Sequence, residues 1–79
     1  MKTYSIIRKK TGGQLSGDRV QLNCNLTKSQ ADSEIKEMAE IHASEIEMPE
    51  AEVAEFVALA VKNGGFHDDD VSYYFIEEE

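Results

Sequence analysis

Between Thr27 and Gly65 the chain carries one long run of helical periodicity, and a single proline, Pro49, forbids it from being one helix. Proline lacks an amide proton and pushes the preceding residue, here Met48, out of helical geometry. The run therefore divides in two. The first helix starts at Thr27, because Thr27 and Gln30 have the spacing of a capping box: the hydroxyl accepts from a first-turn amide and the glutamine side chain returns to the cap amide. It ends near Ile46, and Pro49 suits the first position of the second helix. Lys62 complements the carbonyl end of that second helix. Asn63, Gly64 and Gly65 supply the left-handed backbone that stops it, after which Phe66 folds back over the last turn.

Each helix has a dry stripe about 100° wide. In the first it comprises Ala31, Ile35, Met38, Ala39, His42 and Ile46, and in the second Val53, Phe56, Val57, Ala60 and Val61. Strands flank the pair. Tyr4, Ile6 and Arg8 alternate with Ser5, Ile7 and Lys9, and Val20, Leu22, Cys24 and Leu26 alternate with Arg19, Gln21, Asn23 and Asn25. The intervening TGGQLSGD, Thr11 to Asp18, has the glycines of a hairpin connection. Val71, Tyr73 and Phe75 alternate with Ser72, Tyr74 and Ile76 to give a third strand, running out into Glu77, Glu78 and Glu79. The order ββααβ predicts a single α+β domain over residues 1–79: a three-stranded antiparallel sheet in order 1-2-3 with both helices on one face. Ile7, Tyr74 and Ile76 are expected on the wet face of that sheet. An edge strand offers pairing with a second copy, so a homodimer is a further expectation.

Charge is distributed unevenly. Residues 1–30 hold six basic side chains against Asp18, a net of +5, whereas residues 31–79 hold Lys36 and Lys62 against fifteen acids, a net of −13. Such asymmetry speaks about partners and solubility rather than about fold. The only cysteine, Cys24, excludes an internal disulfide, and the apolar stretch in MKTYSIIRKK is too short for a signal peptide or a membrane span, so the expectation is a cytoplasmic protein without membrane contact.

Candidate chemistry is sparse. His67, Asp68, Asp69 and Asp70 are ligand-type side chains, but neighbours in an extended chain point to opposite sides, and no calcium-loop spacing or second histidine at zinc spacing accompanies them. An acidic turn whose aspartates bond their own backbone is the favoured reading. His42 lies within a dry helical stripe with no nucleophile or orienting carboxylate assigned beside it, and Cys24 falls on the dry register of its strand; both read as packed residues. Gly12-Gly13 lacks the lysine and helix of a phosphate loop. Neither an enzyme, a cofactor nor a metal is expected.

Arg8, Lys9, Lys10 and Arg19 offer cations to a phosphate backbone, and Tyr4 or Tyr74 a stacking ring; the fifteen acids disfavour direct nucleic-acid contact. The acids themselves suggest more. Glu34 with Glu37, Glu37 with Glu40, and Glu52 with Glu55 are like charges three apart, costing about 0.2–0.5 kcal/mol each, offset only by Asp32 with Lys36. A cost near 1 kcal/mol is tolerable for solubility alone, and equally compatible with recognition of a cationic surface. In size, acidity and lack of catalytic motifs the chain resembles the small phage-encoded inhibitors of the anti-CRISPR and DNA-mimic type. The resemblance covers composition and no motif, and the +5 segment departs from an all-acidic mimic. It implies steric and electrostatic occlusion of a basic surface on a protein or ribonucleoprotein complex. The expected contact residues are Glu34, Glu37, Glu40, Glu47, Glu52 and Glu55, with Tyr74 from the sheet; a basic hairpin gripping nucleic acid is the alternative.

Overall fold

The computed structural model describes residues 2–10, 19–67 and 72–79. Along them run β1 (Tyr4–Lys10), β2 (Arg19–Leu26), α1 (Lys28–Glu45), α2 (Glu50–Asn63), β3 (Gly65–His67) and β4 (Ser72–Glu78). The α+β class holds, but the sheet has four antiparallel strands in the order β2-β1-β4-β3, not three in the order 1-2-3. The centre belongs to β1 because it is dry on both sides: Ile6 is 1% exposed toward the helices, and Ile7 and Ser5 are 2% and 3% exposed on the opposite face. β2, expected in the middle, is an edge.

Both helices form as their local signals dictate. The Gln30 amide donates to Thr27 Oγ1 at 3.1 Å and the Thr27 amide to Gln30 Oε1 at 2.9 Å, completing the capping box. Pro49 sits one position earlier than expected, as the residue capping Glu50. Asp32 pairs with Lys28 at 2.8 Å rather than with Lys36. Ala31, Ile35 and Ala39 of α1 pack with Val57 and Ala60 of α2 over Ile6 and Phe66 of the sheet. The alanines bring α1 close to its neighbours, so two isoleucines, Ile6 and Ile35, are the largest fully buried side chains. Rings close the layer: His42 lies 5.9 Å from Phe56 and 5.8 Å from Phe66, which stacks on Tyr74 at 5.4 Å.

Strand registers correct three expectations. Ile76 lies opposite Ile6 and Tyr74 opposite Arg8, so Tyr74 and Ile76 face the helices, while Tyr73 and Phe75 share the open face with Ile7. Ile7 is on the open face as expected, but its neighbours cover it. In β2 the register slips twice against β1, with Asn25 in a left-handed conformation at φ 57°. These bulges break the alternation, and Asn23 rather than Cys24 comes to lie opposite Ile6. Cys24 is only partly buried, and Val20 and Leu22 are exposed. Bulges in β2 and the three-residue length of β3 oppose sheet-edge pairing with a second copy.

Gly64 and Gly65 act differently from each other. Gly64 takes the left-handed position, φ 71°, that ends α2. Gly65 opens β3, where a Cβ would stand 2.3 Å from the Tyr74 carbonyl oxygen, so only glycine admits this approach of β3 to β4. Gly12 and Gly13, the aspartates Asp68, Asp69 and Asp70, and Val71 lie outside the described residues. No helix among the described residues is long and apolar enough to cross a membrane.

Candidate protein-binding surface

The helical acids do not share one face. Glu34 is partly buried and accepts from the Asn23 side-chain amide at 3.0 Å, which ties α1 to β2. Glu37 is exposed beside a shallow depression near Leu26 and Ser33. Glu40 and Glu50 stand on the rim of a groove of about 740 Å³ between α1 and α2. Glu47 holds the left-handed turn after α1, φ 55°. Glu52 and Glu55 lie roughly 160° and roughly 140° around α2 from Glu50. A spacing of three keeps acids adjacent on one helix, but packing α2 beside α1 turns the two rows to different sides. Tyr74, the remaining expected contact, is half-buried against the core and lines a depression with Leu22, Ile41 and Glu45.

What the fold does assemble is a rim of three depressions that share lining residues. The first, about 300 Å³, is lined by Leu22, Ile41, His42 and Glu45, with Phe66 at its inner wall. Phe66 also borders the second, about 450 Å³, which includes Phe56, Leu59 and Tyr73 and wraps around β3. Phe56 and Leu59 continue into the third, about 270 Å³, with Met48, Glu52 and Glu55. Large apolar side chains stand out here: Leu22 is 45% exposed, Ile41 52% and Leu59 47%. No lysine or arginine lines any of the three among the described residues. The arrangement is an apolar strip edged by Glu45, Glu52 and Glu55, suited to a partner that brings aliphatic groups and cations together.

Sequence reasoning named Glu52 and Glu55 but missed Glu45, Ile41 and Leu59. Their signal was available: each departs from its helix's dry stripe, and an exposed aliphatic residue beside an acid is visible in the pattern once the stripe is drawn.

The basic segment meets a different fate. Placing β4 beside β1 carries the terminal acids to it: Lys2 pairs with Glu78 at 3.5 Å, and Arg19 forms a charge-assisted hydrogen bond with Glu77. That bond raises Arg19 above its ordinary pKa and holds the Glu77 carboxyl below the usual range, the hydrogen bond being the main cause in both. Arg19 also lies 5.9 Å over the Phe75 ring. Lys10 donates to Ser72 Oγ at 3.2 Å, and Arg8, opposite Tyr74, faces the helices with its Nε buried. Lys9 is exposed. Among the described residues, Lys2, Arg19 and Lys28 of the positive segment thus meet carboxylates, whereas Arg8, Lys9 and Lys10 form no ion pair.

His67 is exposed on β3 with its ring 4.6 Å from Tyr73. Among the described residues no three His, Cys, Asp or Glu side chains cluster as a metal-ion site. Compared with known proteins, the chain finds no matching family model, curated protein or solved structure.

Proposed function

We propose that this chain is a non-enzymatic binding protein that docks the acid-edged apolar rim formed by the end of α1, the outer edge of α2 and β3 on a basic, partly apolar surface of a partner protein. The observation that carries the reading is that the three depressions share Phe66, Phe56 and Leu59 as lining residues, with Glu45, Glu52 and Glu55 lining them too. Carboxylates on packed helices approach a cationic surface quickly and release its counterions, while the aliphatic side chains supply the desolvated contact that sets residence time. Occlusion of such a surface is the mechanism in keeping with the compositional resemblance to small phage-encoded inhibitors. Contact through Glu37 and Glu40 is secondary in this reading, since they stand apart from the rim. Against the nucleic-acid alternative, Arg19 of its four cations is paired with Glu77 and the Nε of Arg8 is buried, which leaves Lys9 and Lys10 to carry it.

The test is fluorescence anisotropy with three labelled probes: an amphipathic lysine-leucine peptide, a lysine-only peptide of equal charge, and a single-stranded oligonucleotide. The amphipathic peptide binds tightest, and its affinity falls tenfold or more in the Glu52→Lys/Glu55→Lys variant and in Leu59→Ser. Glu37→Lys/Glu40→Lys changes it less than threefold. Equal losses in the two charge-reversed pairs, or tighter binding of the oligonucleotide, reject the proposal.

A further inference from the structure

The groove between α1 and α2 belongs to a different part of the molecule from the acid-edged rim. Its floor is Val53, Val57 and Val61 with the exposed Ala54 and Ala58, and its rim carries Lys36 and Glu40 from α1 and Glu50 and Lys62 from α2. Lys36 and Lys62 are the only basic residues between Ala31 and Glu79, where fifteen acids reside. Both stand here, and neither forms an ion pair among the described residues. Apart from the Lys28–Asp32 pair at the start of α1, the acidic helical layer therefore has one locally balanced patch, placed on its most apolar groove.

Balance alone does not select an occupant; the spacing does. Glu50, Ala54, Ala58 and Lys62 are spaced four apart along one ridge of α2, with acid at one end, base at the other and two small side chains between. The pair Glu50 and Lys62 and the pair Ala54 and Ala58 have the same midpoint, residue 56. One two-fold axis at that level therefore sets Glu50 against Lys62 of a second copy, Lys62 against its Glu50, and Ala54 against its Ala58. Glu50 and Lys62 are about 18 Å apart along the helix, so the two ion pairs bracket the crossing rather than crowd it. We infer that this groove is the interface of a symmetric homodimer in which the α2 helices of two copies cross antiparallel at Ala54 and Ala58. The molecule is a plate with Cα extents of 38 × 34 × 16 Å, whose broad helical side has room for the roughly 800 Å² per partner of a standard interface. Isologous contacts of this kind are the commonest route to an oligomer. Glu52 stays outside this contact, roughly 140° around α2 from the Ala54–Ala58 line, whereas Glu55 flanks it at roughly 80°.

Analytical ultracentrifugation of the full chain over a wide concentration range tests the inference, with far-UV circular dichroism confirming that every variant is folded. The wild type shows a monomer–dimer equilibrium. Ala58→Glu, a change at an exposed position, weakens it tenfold or more. Glu50→Lys alone and Lys62→Glu alone each place like charges opposite one another twice and weaken it to a similar degree, while the double variant Glu50→Lys/Lys62→Glu restores the wild-type constant to within threefold. A wild type that stays monomeric at every concentration, a dimer indifferent to Ala58→Glu, or a double variant as weak as the singles overturns the inference. Since none of these positions lies on the acid-edged rim, peptide binding there is read independently.

Discussion

Replacing Gly65 by alanine is the sharpest test of how β3 joins the sheet. The added Cβ would meet the Tyr74 carbonyl oxygen at 2.3 Å and the Phe75 Cα and Cβ at 2.9 Å. Backbone stands in the way, so no rotamer change relieves the contact. Ordinary carbon contacts lie near 3.5–4.0 Å, and β3 must retreat from β4 by more than about 1 Å. That retreat breaks a ladder whose adjoining bond, Ile76 amide to Gly64 carbonyl, is 2.7 Å long. Two such bonds contribute about 1 kcal/mol each, and loosening Phe66 from His42, Phe56 and Tyr74 adds about 1–2 kcal/mol. The expected loss is therefore about 3–4 kcal/mol, against about 1–2 kcal/mol for Gly64→Ala, where nothing lies near the new Cβ and only the left-handed backbone objects. A domain of this size has a total stability of roughly 4–12 kcal/mol, so the difference is measurable in urea melts followed by circular dichroism. If Gly65→Ala costs no more than Gly64→Ala, the close approach of β3 to β4 is not a determinant of stability and the reasoning fails.

Three further outcomes follow from single positions. Ile35→Ala, at one of the two largest fully buried side chains, should cost about 2–5 kcal/mol in the same melts, whereas Ile41→Ala, at an exposed position, should stay within about 0.5 kcal/mol. Glu47→Gly should stabilise by about 0.5 kcal/mol: relief of the left-handed strain at φ 55°, about 1–2 kcal/mol, exceeds the added unfolded-state freedom of about 0.5–1 kcal/mol. Because the hydrogen bond from Arg19 keeps the folded Glu77 carboxyl below its unfolded value, its contribution is present above the unfolded pKa and fades as pH falls through the folded one. The stability gap between wild type and Glu77→Gln should accordingly narrow between about pH 5 and pH 2; a gap that widens with acid contradicts the pairing.

The elements that could be read from sequence were those whose signals are local. Thr27 with Gln30, Pro49, and Asn63 with Gly64 act on their own backbone, and the helix boundaries fell within a residue or two of them. Strand pairing depends on which strand is dry on both sides, and the alternation of β1 places Ile6 and Ile7 on opposite faces without showing that Ile7 is covered as well. β3 was hidden by its own glycine: Gly65 read as a stop signal, although its lack of a side chain is what lets it approach Tyr74. In β2 the bulges shifted the register, so Asn23 acquired the place opposite Ile6 and bound Glu34. The acids were legible as residues but not as a surface, because the side on which Glu52 and Glu55 emerge is fixed by the packing of α2 on α1 and β3. Charge separation along the chain is likewise reduced by folding, since β4 brings Glu77 and Glu78 to Arg19 and Lys2.

The most direct test of the proposed docking rim is a titration of isotopically labelled chain with the amphipathic lysine-leucine peptide, followed by amide chemical shifts. Perturbations gathered on Ile41, Glu45, Glu52, Glu55 and Leu59, and shrinking as salt is raised, are the expected result. Shifts gathered instead on Lys9 and Arg19 of the sheet, or spread evenly over Glu37, Glu40 and the rim alike, contradict it.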